Sequence, residues 1–451
     1  MFTIGFSNLI PRALHVLDAL RALRTLSAGP ALARGGLLAA CFALSAGLAA
    51  CGGGGGSDSS SSSSNSASDT SKLPAGPTQQ PIAVGAANTV GVTVNAGVTG
   101  NMPNIPTISV TLCVAGTSTC QTISNVQVDT ASYGLRIAAS ALNSTMTGAL
   151  PLTTASGGTL AECTAFADGY TWGTVRNADV KIGGETASNI PVQVVGDLST
   201  SSVPQACASY GAAQNSPQEL GANGLIGIGV APWDCGSRCA TNVNNTSSYY
   251  SCPNGSNCST VAVATGAQVA NPVAHFATDN NGVILQMQPV SLNGQASATG
   301  TLVFGIGTQS NNTMSASQTF ATDQWGDVVG SYKGRSLAAF LDSGSNGLFF
   351  NDSSIGQCGG NLGTFYCPST PLALSATLTD LNNKTATVNF NVVSAQVLLG
   401  NGTNYVANDL GGEFGSNANL DLGLPFFYGR YVYYGFDKTA TGGTQTPYFA
   451  F

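Results

Sequence analysis

The chain has 451 residues, with 14 Lys+Arg against 21 Asp+Glu and a formal net charge of −7. Charged residues make up only 8% and lie scattered, so the basic footprint of a nucleic-acid-binding protein is missing. The two histidines, His15 and His275, are too few for a zinc hydrolase site, and a Ser-His-Asp or Cys-His system would rest on His275 alone. No motif surrounds His275, which reads as a structural residue.

Arg12, Arg21, Arg24 and Arg34 precede an apolar run from Gly35 to Ala50. That run is short for a membrane helix and suits a signal h-region. It ends in Leu48-Ala49-Ala50-Cys51, which resembles the lipobox of bacterial lipoproteins. The resemblance implies cleavage before Cys51, lipid on its thiol and, with Gly52 next, the outer membrane of a Gram-negative bacterium, facing periplasm or cell surface. Residues 1–50 are therefore read as a lipoprotein signal peptide. Residues 51–80, rich in glycine and serine, are read as a flexible tether. The body is larger than one core usually holds, so an N-terminal β lobe (81–289) and a C-terminal β lobe (290–451) are expected.

Strand signals dominate the body. Val90–Asn95, Thr107–Cys113, Ile123–Val128 and Arg430–Phe436 alternate or run apolar with β-branched and aromatic residues. Helical periodicity is scarce, with short candidates at Arg136–Leu142 and Ser336–Phe340. Ten cysteines follow Cys51: Cys113, Cys120, Cys163, Cys207, Cys235, Cys239, Cys252, Cys258, Cys358 and Cys367. An even number in an exported chain points to disulfides, with Cys113–Cys120 and Cys358–Cys367 as hairpin staples. Cys235, Cys239, Cys252 and Cys258 admit a four-thiolate zinc site as the alternative, although an oxidising compartment favours disulfides. Neither a metal nor any other cofactor is expected. Arg136 and Arg430 read as members of structural ion pairs.

One acidic phrase occurs twice. Val128-Asp129-Thr130-Ala131-Ser132-Tyr133-Gly134-Leu135 returns 213 positions later as Leu341-Asp342-Ser343-Gly344-Ser345-Asn346-Gly347-Leu348. Two copies, each behind an apolar run, suggest two related halves that each give one carboxylate to a shared site. Two aspartates held close together cannot both ionise, which makes a paired acid and base.

These residues resemble a pepsin-type aspartic protease, and the resemblance keeps chain order. Phe166-Ala167-Asp168-Gly169, with Tyr170 following, resembles the flap hairpin. Gly224–Gly229 resembles the strand bracing the first Asp loop, and Val283–Met287 the strand crossing between lobes. Gly300–Gly305 resembles the opening of the second lobe, and Leu422–Phe427 with Arg430–Asp437 the closing segment. The resemblance implies a mainly β, bilobal double β-barrel with short helices and a cleft for an extended peptide or protein substrate. It implies that Asp129 and Asp342 activate a water. Thr130 and Ser343 would lock the two loops together, Ser132 and Ser345 would hydrogen-bond the carboxylates, and Gly344 would allow close approach. A monomer is expected. The lipobox and serine tether also resemble an uncharacterised family of bacterial lipoproteins, for which no activity is implied.

Three residues depart from the protease pattern. Ala131 replaces a glycine, Phe166 replaces the flap tyrosine (Tyr170 or Trp172 could stand in), and Asp421 occupies an apolar position before Leu422-Gly423. A catalytically degenerate lipoprotein that binds peptide or envelope components is therefore the second reading. A structural or adhesion lipoprotein, using the Cys235–Cys258 loop as its contact, is the third.

Overall fold

The computed structural model describes residues 69–241, 248–413 and 418–451. The signal segment, Cys51 and the tether through residue 68 lie outside the described residues. The described chain is mainly β, with short helices only. The tether's last part packs on the body: Gln79 N donates to Gly429 O, Tyr431 N donates to Gln79 Oε1, and Leu73 rests on an apolar cluster of the second lobe.

In the first lobe, Cys120–Asp129 pairs antiparallel with Ile105–Cys113 and parallel with Gly224–Ile228. Gly224–Ile228 in turn pairs antiparallel with Tyr133–Ala138. The second lobe repeats this. Arg335–Asp342 pairs parallel with Asn419–Gly423, which pairs antiparallel with Leu348–Phe350. Gly227 lies opposite Asp129 and Gly423 opposite Asp342, so the register is the same in both halves. Each of these glycines sits where a side chain cannot fit: an added methyl carbon would stand 2.4 Å from Tyr133 N in one lobe and 2.1 Å from Gly347 O in the other.

Between the lobes, Gly282–Met287 is flanked by Ala298–Phe304 and Tyr431–Gly435, with Thr89–Asn95 and Tyr448–Ala450 outside them. This sheet is continuous with the first lobe, while the second lobe keeps its own seven-stranded sheet. Two related β lobes on a shared sheet, each ending a strand in an aspartate, form the bilobal pepsin-like architecture.

Two helix expectations fail. Ser336–Phe340 lies within the strand Arg335–Asp342, and Arg136 lies within the strand Tyr133–Ala138. Buried Leu337, Ala339 and Leu341 alternate with exposed Ser336 and Ala338. That is a period of two, hidden in the sequence because the outward residues include an alanine. The helical remnant of the first segment is a single 3-10 turn, Ala139–Ala141.

The ten cysteines form disulfides: Cys113–Cys120, Cys163–Cys207, Cys235–Cys239, Cys252–Cys258 and Cys358–Cys367. The zinc alternative for Cys235 to Cys258 is thereby replaced by two short-range bridges. His275 packs edge-on to Trp233. Arg430 stacks over the Phe426 ring at 4.1 Å, and the expected ion pair is not found among the described residues.

Asp409, behind the second Asp loop, is 4% exposed and its Oδ2 has no hydrogen-bond partner. Burial pushes its carboxyl from 3.8 up to about 6. A raised carboxyl contributes stability below pH 3.8 that is lost as pH rises through about 6. Asp409→Asn removes that loss. Denaturant unfolding should show a gain of about 3 kcal/mol at pH 8 and little change at pH 4. An equal change at both pH values would rule out Asp409 as the source.

Candidate active site

Each Asp loop satisfies its own carboxylate first. Ala131 N donates to Asp129 Oδ1 at 2.8 Å, and Gly344 N donates to Asp342 Oδ1 at 2.8 Å. These two-residue contacts follow from a tight turn directly after a strand, which is why the motif was legible. Hydroxyls then join the loops. Thr130 Oγ1 accepts Ser343 N at 2.9 Å and donates to Leu341 O at 3.2 Å, while Ser343 Oγ donates to Val128 O at 2.8 Å. Thr130 and Ser343 are 3% and 0% exposed, so these bonds are shielded from water.

The two carboxyls meet at Gly344. A methyl carbon added there would stand 2.8 Å from Asp129 Cγ and 3.1 Å from Asp342 Oδ1. Asp129 is buried, and Asp342 keeps part of its surface open to the cleft. Burial and the neighbouring Asp129 carboxylate hold the Asp342 carboxyl well above the ordinary carboxylate range. Ala131 needs no left-handed backbone, and its methyl rests on the second-lobe cluster with Phe340 and Phe349.

The outer serines behave differently. Ser345 Oγ lies 2.9 Å from Asp342 Oδ2 and 2.6 Å from Asp421 Oδ2. Ser132 Oγ is buried without a hydrogen-bond partner, so it does not bond Asp129 as the resemblance implied. Asp421 finds its partner in Ser345, which accounts for an acid in that apolar brace.

The flap is the hairpin of Gly158–Phe166 and Gly169–Ile182, turning through Ala167 and Asp168. Phe166, Ala167 and Asp168 line the cleft with Asp129, Asp342 and Gly344. Tyr170 and Trp172 pack on the far side, against Cys163, Cys207 and Tyr250. Neither supplies a hydroxyl or indole N–H to the cleft, so Phe166 is the flap aromatic beside the dyad. The Cys163–Cys207 disulfide and a two-residue strand, Ala212–Ala213, pin the flap from outside.

Beneath the flap lies a buried charge cluster. Arg136 Nη2 contacts Glu162 Oε1 at 2.7 Å and Asp234 Oδ2 at 2.9 Å, and Tyr249 OH donates to Asp234 Oδ1 at 2.7 Å. Burial and the Glu162 carboxylate hold Asp234 well above its ordinary range, with Arg136 opposing them.

Other cleft residues carried no motif. Gln127 Nε2 donates to Gly344 O at 2.9 Å across the lobes. Asn104, fully buried, donates to Asn346 O and Ala407 O and accepts from Ala407 N and Tyr428 OH. Asn346 lines the cleft at 3% exposure, and neither its side-chain Oδ1 nor its Nδ2 has a partner among the described residues. A side-chain amide beside a repeated Asp loop was the one available signal for Asn346.

Two β lobes bring two aspartates to one hydroxyl-locked cleft, consistent with a bilobal pepsin-like fold. The chain belongs to the family described as "Protein of unknown function (DUF3443)", whose model matches residues 84–451. Among solved structures, it is similar to the aspartic proteinase from Irpex lacteus, at 16% identity and a TM-score of 0.44, over 81% of this chain and 97% of that one. No curated protein matches the chain.

Removing one partner of a buried ion cluster strands the others, which costs about 3–5 kcal/mol. Arg136→Leu leaves Glu162 and Asp234 facing each other and should lower denaturant stability by about that amount at pH 7. A loss below about 1 kcal/mol would show that the cluster is not holding the flap to the strand that follows the Asp129 loop. Thr130→Val leaves Ser343 N–H buried and unpaired, and should cost about 1–3 kcal/mol in the same measurement. No loss would mean that water replaces the lost hydroxyl.

Proposed function

We propose that this protein is an aspartic endopeptidase of the bacterial cell envelope, held to the outer membrane by lipid on Cys51. The observation that carries the chemistry is the convergence of Asp129 and Asp342 at Gly344. Asp342, its carboxyl pushed well above the ordinary range by burial and Asp129, is the acid that donates to the scissile carbonyl. Asp129 is the base that takes a proton from the attacking water. Thr130, Ser343 and Ser345 fix the geometry, as a dyad requires of its supporting groups.

The substrate proposed is an extended peptide. Asn346 offers an unpaired donor and acceptor at the cleft wall, which a peptide backbone would satisfy. The cavity is about 100 Å³, below the ~300–1,000 Å³ of ordinary ligand sites. Substrate would enter past the flap residues Phe166, Ala167 and Asp168, which line the cleft. The leader and tether residues support the anchoring by sequence alone.

The second reading is a peptide- or envelope-component-binding lipoprotein with the same cleft and no turnover. Ser132, which leaves Asp129 without its outer hydroxyl, favours it.

The deciding experiment is digestion of a diverse peptide library by the full-length protein from pH 3 to 8, with and without a statine-type inhibitor. Cleavage should disappear in Asp129→Asn and in Asp342→Asn, falling at least a thousandfold, the scale of loss typical when a catalytic group is removed. Cleavage that survives either substitution would sink the dyad mechanism. Peptide binding without cleavage, unchanged in both variants, would establish the second reading.

A further inference from the structure

Ser345 joins two carboxyls with one hydroxyl. Its Oγ is 2.9 Å from Asp342 Oδ2 and 2.6 Å from Asp421 Oδ2. A hydroxyl has a single hydrogen and cannot donate to both. Two arrangements satisfy both contacts. In one, Asp342 is the acid, donates to Ser345, and Ser345 donates to Asp421. In the other, Asp421 is the acid, and both bonds reverse.

The first lobe provides the control. By register, Asp421 stands two residues before the brace glycine Gly423, and Leu225 stands two residues before Gly227. Leucine there accompanies a Ser132 hydroxyl that bonds nothing. Aspartate there accompanies a Ser345 hydroxyl tied into the dyad. The acid is 2% exposed, and burying it as a leftover charge would be costly.

We propose that Asp421 is a third titrating carboxyl of this site, a positioning residue that determines through Ser345 where Asp342 keeps its proton. The inference rests on the dyad reading above. The step is a double proton shift. The Asp342 Oδ2–H bond breaks as Ser345 Oγ gains that proton, and Ser345 passes its own proton to Asp421 Oδ2. Asp342 becomes the anion and Asp421 the acid, with nothing exchanged with solvent. The groups facing Asp421 are consistent with this. Phe340 and Phe349 lie beside it in register and do not titrate. Ser345 faces it from the Asp342 loop, with Asp342 and Asp129 beyond, and Tyr434 OH donates to Leu341 O behind them. An ionised Asp421 opposes ionisation of Asp342, so the dyad keeps its shared proton to higher pH.

The test is carbon-13 titration of the aspartate carboxyls in the full-length protein, beside the pH profile of peptide cleavage. In the unsubstituted protein, Asp342 and Asp421 should titrate in coupled steps, each resonance shifting at both midpoints. Asp421→Asn should lower the Asp342 midpoint by about one pH unit and move the alkaline limb of cleavage by the same amount. Asp421→Leu, which copies Leu225, should do the same. In a Ser345→Ala background the Asp421→Asn shift should shrink by half or more, and Ser345→Thr should keep it. Independent titration of the two carboxyls, or an equal Asp421→Asn shift with and without Ser345, would overturn the proposal. If the protein cleaves no peptide, the endopeptidase reading fails while the carbon titration still decides this one. If Asp421 variants do not fold, the coupled steps in the unsubstituted protein decide it.

Discussion

The structure turns on one electrostatic constraint: two carboxyls are held side by side at a buried seam between two lobes. The two Asp loops belong to different lobes. They are held by shielded hydrogen bonds from Thr130 and Ser343, each hydroxyl reaching the backbone of the opposite loop. The remaining relief is protonic, and it falls on Asp342, whose carboxyl burial and Asp129 push well above the ordinary carboxylate range. The seam therefore favours a shared proton, because the fold forbids the charges to separate.

The same economy recurs under the flap. Glu162 and Asp234 share one guanidinium, Arg136, whose strand continues directly from the Asp129 loop. The flap strand, the Asp129 loop and the Asp234 segment are thus tied through one buried cation. With the Cys163–Cys207 disulfide and the Ala212–Ala213 strand on the outer side, the hairpin is held at several points along its length. The cleft beside the flap is small, about 100 Å³. Its selectivity would then be set by what the tip at Phe166 admits.

Much of this was legible in the chain, for local reasons. The doubled Asp phrase announces two strand-to-turn transitions, since Asp-Thr/Ser-small-Ser fits a carboxylate capped by its own loop amides. The short-range cysteine pairs were legible as hairpin staples. The misses are tertiary. Ser336–Phe340 looked helical because the alternation of its strand passes through Ala338. Tyr170 looked like a stand-in for the flap hydroxyl, but strand alternation turns it to the outer face. Ser132 and Ser345 hold the same position in the repeated phrase, yet Asp421, 76 residues away, meets only Ser345. Asn104 carried no motif at all, yet it clamps the loops behind the second aspartate.

The central claim is a carboxyl kept protonated at neutral pH by its partner. The most direct measurement is the infrared carbonyl stretch of protonated carboxyls at pH 7, in the unsubstituted protein and in Asp342→Asn. The account predicts a protonated-carboxyl band that Asp342→Asn removes in part, leaving the share of other buried acids. An identical band in both proteins would mean that Asp342 is ionised at neutral pH, and the seam would not be a proton-sharing site.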